Sequence, residues 1–455
     1  MNTITEKLVK HNDLMNSICA FCKTFGLYDL LRRFGAFKMR GFPVRRIFDF
    51  LFSLVFSGQN LYRVVICKKD TEFSKDTIYR FLNNTKIHWE RILSLLAVAV
   101  ISRIRTLTSE NRLTAIIVDD APFWKNRSKK LELLARQWDH ATKRYFLVFR
   151  MLTLAFSDGF SFIPFAFQLM SSIKATVAAK DFDEHTIAAR RRKNAVKTMP
   201  DRLCALLKTA KAMMIPARHV LFDSWFSDPI ALLRIHKIGY FCVAMLKKNR
   251  TKYMYDGNLV TITQLFKSVR KRPGKSKYLA SAKVTIIHKD VKFDIPAQIV
   301  FVRDKSNHKK WCAIISTDTE LTETQIIELY GKRWDIEVFF KMCKSYLKLA
   351  KEFEGRSYDM LTAHTSIVFL RYICLSWAQR ESNDPRTIGE LFFLCSDEVA
   401  DISFTQAFAL ILSALTSVLH DSLFLDEAQI DAFISLFIDR LPAKWRGFSD
   451  ISCES

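Results

Sequence analysis

The sequence predicts an α/β core flanked by helical regions on both sides. Three observations carry this. Apolar segments ending in acids, LTAIIVDD (113–120) and HVLFD (219–223), alternate with helical patterns. Before about residue 110, and again after about 355, apolar residues recur at helical spacing. The 38 phenylalanines in 455 residues supply a large core, while only 12 glycines argue against a Gly-rich phosphate loop; neither GxxxxGKS nor GxGxxG occurs.

In the first region, IFDFLFSLVF (47–56) and RILSLLAVAVISRI (91–104) read as helices. Between them, FSKDTIYRFLNN (73–84) places Ser74 as an N-cap, with Ile78 and Phe81 inward and Lys75, Tyr79 and Arg80 outward. This short basic helix suits either DNA contact in a helix-turn-helix or an ordinary place in a bundle. From 113 the pattern turns to strands. YFLVFRMLTLAFSDG (145–159) and SFIPFAFQLM (161–170) form a hairpin around Asp158-Gly159. A helix at RLCALLKTAKAMM, the strand HVLFDSWFSDP, a helix at ALLRIHKIG and the strand YFCVAML come next. Residues 247–310 are β-rich and basic, a strand insertion in the core. WCAIISTD (311–318) returns as a strand. A helix starts near Thr322, in capping-box spacing with Gln325, and runs on through YGKRWDIEVFFKMCK (330–344). LTAHTSIVFLRYICLSWAQR (361–380) is the clearest helix of the last region. The expected division is therefore 1–110 helical and DNA-binding, 111–350 catalytic core with the insertion, and 351–455 helical.

Net charge is +24, with Lys and Arg at 70 against 46 acids, and the excess is spread along the chain. This implies a polyanion partner, nucleic acid, bound by the body of the protein and not by a tail. The basic insertion at 247–277 is the favoured contact; the run RRRK (190–193) either meets phosphates or is solvated. Cys19 and Cys22 form the one CxxC, without a second pair to complete a zinc site. The cysteines read as reduced core residues of a cytoplasmic protein. The apolar run ILSLLAVAVIS is about half a membrane span, and no signal-peptide core occurs. His140, beside Asp139, reads as a structural hydrogen-bonder.

Asp120 and Asp223 close apolar strands, where a carboxylate costs desolvation unless paired or bound to a cation. Tyr330, Arg333, Glu337, Lys341, Lys344 and Lys348 share one helical face. Cations around Glu337 favour its ionised form. Asp120, Asp223 and Glu337 are thus candidates for an all-oxygen site for Mg²⁺ or Mn²⁺ serving phosphoryl transfer. Asp119, adjacent to Asp120, stays open as the first ligand, because a strand alternates faces and only one of the two points at the metal.

The spacing Tyr330-x2-Arg333-x3-Glu337-x6-Lys344 resembles the Y-R-E-K signature of the IS-four family of DDE insertion-sequence transposases. VDDAPF (118–123) and VLFDSWF (220–226) are similar to that family's two aspartate strands, and the resemblance covers about 113–380. Ala121-Pro122 depart from it, since the family often has Thr after the first aspartate. The resemblance implies a ribonuclease-H-like core and cut-and-paste joining of transposon ends to target double-stranded DNA with divalent metal. A homodimer on paired ends is implied as well. Glu337 becomes the third ligand, and Tyr330, Arg333 and Lys344 bind end phosphates, with Lys341 beside them. Trp334 and Trp311 match places where the family stacks a flipped base during hairpin formation. The competing expectations are a non-catalytic DNA-binding protein of this fold and a ribonuclease-H-like nuclease without strand transfer. A bacterial, nucleoid-associated cytoplasmic location goes with the transposase.

Overall fold

The computed structural model describes residues 18–56, 61, 73–109, 112–139, 143–272, 276–289, 293–303, 310–352, 355–381, 415, 419 and 427–440. His140, the tip of the basic insertion at 273–275 and most of the chain after 381 lie outside these.

The chain opens with helices α1 (Leu27–Arg33), α2 (Val44–Ser53), α3 (Lys75–Leu82) and α4 (Trp89–Arg105). Ser74 caps α3 by accepting from the Thr77 amide at 3.3 Å, and Ile78 and Phe81 are buried. Next come strands β1 (Ala115–Trp124), β2 (Ala135–Asp139), β3 (Arg144–Ser157) and β4 (Phe162–Met170). The β3–β4 turn is held by Asp158, whose Oδ1 accepts from the Phe160 and Ser161 amides at 2.9 and 2.7 Å. Gly159 supplies the positive φ, +89°, that this turn requires.

Helices α5 (Ile187–Ala195) and α6 (Met199–Ala212) lead to β5 (His219–Phe222), α7 (Pro229–Ile238) and β6 (Phe241–Leu246). Strands β7 (Lys252–Tyr255) and β8 (Asn258–Thr261), helix α8 (Ile262–Ser268) and strands β9 (Ala280–Ile286) and β10 (Ile295–Arg303) then precede β11 (Trp311–Ser316). The chain continues as α9 (Glu323–Gly331), α10 (Trp334–Ser345), α11 (Tyr358–Glu381) and α12 (Glu427–Asp439).

Among the described residues, one mixed sheet of eleven strands runs in the order β2-β3-β1-β5-β6-β11-β10-β9-β7-β8, with β4 also on β3. β1, β5 and β6 are parallel, and β3 and β11 flank them antiparallel. The residues between β6 and β11 extend this sheet instead of forming a second one. β4 is buried at every position, under α4 and α11. Such double-sided burial gives the near-continuous apolar runs seen in the sequence.

Two sequence expectations change. The single helix expected from Thr322 is two: at Lys332 and Arg333 the amides bond three residues back, to Leu329 and Tyr330, at 3.1 and 3.0 Å. A tight three-residue step at Lys332 and Arg333 thus separates α9 from α10. In the run RRRK, Arg191 and Arg192 are buried. Arg191 holds Glu90 of α4 at 2.7 and 2.8 Å, Arg192 holds Glu132 at 2.6 and 2.9 Å, and both reach Asp359 of α11. They tie the flanking helices to the core, and only Arg190 and Lys193 remain exposed.

Candidate functional site

Asp119 lies mid-β1, opposite Thr153 of β3, just as Ala115 lies opposite Ser157. Alternation therefore puts Asp119 on the sheet face that carries Ser157. The Ser157 hydroxyl donates to Asp335 of α10 at 2.9 Å, so α10 sits over that face. Asp120 belongs to the other set, with Arg150, and its carboxylate is ion-paired with that guanidinium. The sequence favoured Asp120 as the first ligand; the fold instead turns Asp119 toward the other candidate groups. Both faces of β1 are buried, so no apolar–polar alternation in VDD could reveal which aspartate faces α10.

Arg333 stands between two acids. Its Nη2 bonds Glu337 Oε1 one turn along at 2.5 Å, and its Nη1 is 4.0 Å from Asp119 Oδ2. The Tyr330 ring lies 5.9 Å from the same guanidinium. Asp223 stands just past the last residue of β5, half-buried, and its Oδ1 accepts from the Trp225 amide at 2.8 Å. Burial pushes the Asp119 carboxyl up to about 7, and the neighbouring charges of Asp120 and Asp223 add to the rise while Arg333 opposes it. Burial likewise pushes the Tyr330 hydroxyl up to about 12, with Asp223 reinforcing it. For Lys344 burial lowers the pKa, with Arg150 acting in the same sense and Asp119 against. Asp119, Asp223, Tyr330, Arg333, Glu337 and Lys344 thus form one electrostatic group.

The other candidates are placed differently. Lys341 is exposed on α10. Trp334, at the start of α10, is 62% exposed. Trp311 is stacked on Phe266 at 4.6 Å and 26°, with Lys248 Nζ 3.8 Å over its ring. Two residues were not singled out in the sequence. Arg150 is a cation with apolar residues on both sides of it in the strand, which was its signal. Trp225, two residues after Asp223, is half-exposed with Lys247 Nζ 4.6 Å over its ring. A cavity of about 1070 Å³ lies elsewhere, lined by Thr114 and Arg218, which precede β1 and β5, so it opens at the opposite end of the parallel strands from Asp223.

Among the described residues no three His, Cys, Asp or Glu side chains stand ready around one point for a metal ion. The donor chemistry nevertheless fits a hard cation. Asp119 and Asp223 are oxygen donors, and a carboxyl whose pKa is raised by burial and by two neighbouring acids gains from a bound cation. Glu337 would join them on exchanging its bond to Arg333 for the ion.

No helix among the described residues is long and apolar enough to cross a membrane. No curated protein matches the chain. The family model of the DDE superfamily endonucleases matches residues 55–307, which take in β1 and β5 with their aspartates and end before α9 and α10. With more than half its length under that model, and an acidic group where two strands meet the start of α10, the chain belongs to the DDE superfamily endonuclease family.

Proposed function

We propose that this endonuclease is a transposase that cuts DNA at the ends of an insertion sequence and joins them to a target. The observation that carries the reading is Arg333 standing between Asp119 and Glu337, beside Asp223. Two strands and one helix contribute acids to one place, and a guanidinium occupies the space between them. Asp119, Asp223 and Glu337 are the proposed ligands of Mg²⁺, with Mn²⁺ as a substitute. When bound, the divalent ion supplies Lewis-acid charge and lowers the pKa of an attacking water or hydroxyl. Arg333 and Lys344 neutralise the phosphate, and Arg333, released from Glu337, can bond it through two N–H groups. The Tyr330 hydroxyl, kept protonated, donates to a phosphate oxygen. Trp334 offers an uncovered ring for a base, whereas Trp311 would first have to leave Phe266 and Lys248.

The order β4-β3-β1-β5-β6, with β1, β5 and β6 parallel, supports a ribonuclease-H-like core. The spacing from Tyr330 to Lys344 supports the Y-R-E-K group within the superfamily. A homodimer on paired ends is part of this proposal, as is a helical DNA-binding region over 1–110.

A donor plasmid carrying the element's ends, with Mg²⁺, is expected to release the excised fragment. Glu337→Gln should abolish release while end binding persists. Normal cutting by that variant would overturn the assignment. The bond that engages Glu337 favours one alternative, a DNA-binding protein that does not cut. Gel retardation without nicking, even in Mn²⁺, would decide for it, and nicking without joined product would decide for a nuclease lacking strand transfer.

A further inference from the structure

The β1–β3 pair runs on past the acids. β3 continues to Arg144, where it pairs with β2. Tyr145 is an even number of positions from Thr153, the partner of Asp119, so it shares the Asp119 face, roughly 27 Å farther along the strand. Up to Phe149 that face is covered: its ring meets Tyr358 of α11 at 5.9 Å. Beyond it the face comes into solvent. Tyr145 is 62% exposed and Trp138, its cross-strand partner, 41%, with ring centroids 5.0 Å apart at 65°. On the reverse face Trp124 is also exposed, against Phe146 at 5.1 Å. A cavity of about 500 Å³ lies beside the pair, lined in part by Arg136, Tyr145 and Leu147.

The charge around these rings is one-sided. Arg127, Lys129, Lys130, Arg136, Lys143 and Arg144 are all exposed. Glu132 is turned inward to Arg192, which leaves Asp139 as the remaining acid of this stretch. Phosphate binding alone needs cations and no aromatic rings, and exposed rings carry a hydration cost. Rings set among cations match a ligand that offers base faces and phosphates together. A duplex hides its base faces, whereas an unpaired strand presents them.

We infer that the outer end of the β2–β3 ribbon is a binding surface for an unpaired DNA strand, stacked on Trp138 and Tyr145 and held by Arg136, which shares their face. The phosphoryl-transfer reading enters only in taking that strand to be part of the DNA on which the site at Asp119 acts.

The test is made on the full chain without divalent metal. Binding of a labelled oligothymidylate of about 20 nucleotides and of a duplex of the same length is measured by fluorescence anisotropy. Trp138→Ala with Tyr145→Ala is expected to weaken the oligothymidylate about tenfold or more and the duplex less than about twofold, with Trp138→Phe largely restoring the loss. Photocrosslinking of an oligonucleotide carrying 5-iododeoxyuridine to the unmodified protein should label Trp138 or Tyr145, which keeps the test open if the double variant misfolds. Equal losses on both ligands, no loss on either, or crosslinks confined to other residues would overturn the inference. So would sedimentation showing that the double variant only breaks a self-association, which would make the patch a contact between copies. Because no cleavage is read, failure here is distinct from failure of Glu337→Gln to block cutting.

Discussion

Asp119 sets the pH behaviour of the candidate site, because its carboxyl is largely buried and the charges of Asp120 and Asp223 act on it against that of Arg333. An acid whose pKa rises on folding costs stability once pH passes its unfolded value, near 4, and the cost grows until pH reaches the folded value, about 7. Asp119→Asn removes that cost. Without divalent metal the variant should melt at a higher temperature than the wild type at pH 8, with the gap closing toward pH 4. An equal gap at both pH values in a calorimetric scan would show that Asp119 is not held in this environment. The same proton competes with a cation, so Mn²⁺ affinity measured by titration calorimetry should fall as pH drops below about 7, with protons released on binding. Arg333 adds a second dependence. Arg333→Met leaves Glu337 without its partner and removes the proposed phosphate donor, and a drop in cleavage of about a hundredfold or more is expected in a nicking assay.

At the scale of elements, burial of Arg191 and Arg192 explains how the helical flanks keep their place on the core. The pair joins α5 to Glu90 of α4, to Glu132 after β1 and to Asp359 of α11, and the Arg371 guanidinium, fully buried on α11, reaches Glu352 and the Phe52 carbonyl near the end of α2. Removing one partner of such a network strands a buried charge. Asp359→Ala should therefore cost about 3–5 kcal/mol in chemical denaturation. Lys193→Ala, which loses only an exposed pair with Glu184, should leave the denaturation midpoint where it is. The sequence showed a four-residue cationic run but not which cations faced inward. In a short helix only the packed face decides that, and the acids that meet it come from 101 and 168 residues away. The α9–α10 break had one local signal, Gly331, a poor helix former, but the charged face keeps helical spacing from Tyr330 to Lys344 and so spacing alone did not show the tight turn at Lys332 and Arg333.

For the whole molecule the net charge of +24 governs association. Its spread predicts several phosphate contacts, so affinity for duplex DNA should fall roughly a thousandfold between 50 and 200 mM salt. A fall of less than tenfold in a salt titration would mean that few of these cations touch DNA. The exposed loop Lys247–Arg250 and the ribbon at Arg136–Arg144 lie at different positions in the sheet, and each should contribute separately to the slope.

By itself the sequence determined the strand segments, the hairpin at Asp158-Gly159, the caps at Ser74 and Thr322 and the group of residues from Tyr330 to Lys344, because periodicity, turn chemistry and helical spacing are local. Only the tertiary structure decided that Asp119, not Asp120, looks toward α10, that two of four consecutive cations are core residues, and that Glu337 is engaged by Arg333. Those outcomes depend on which face of a doubly buried strand or short helix meets which distant neighbour, and the local pattern is the same either way.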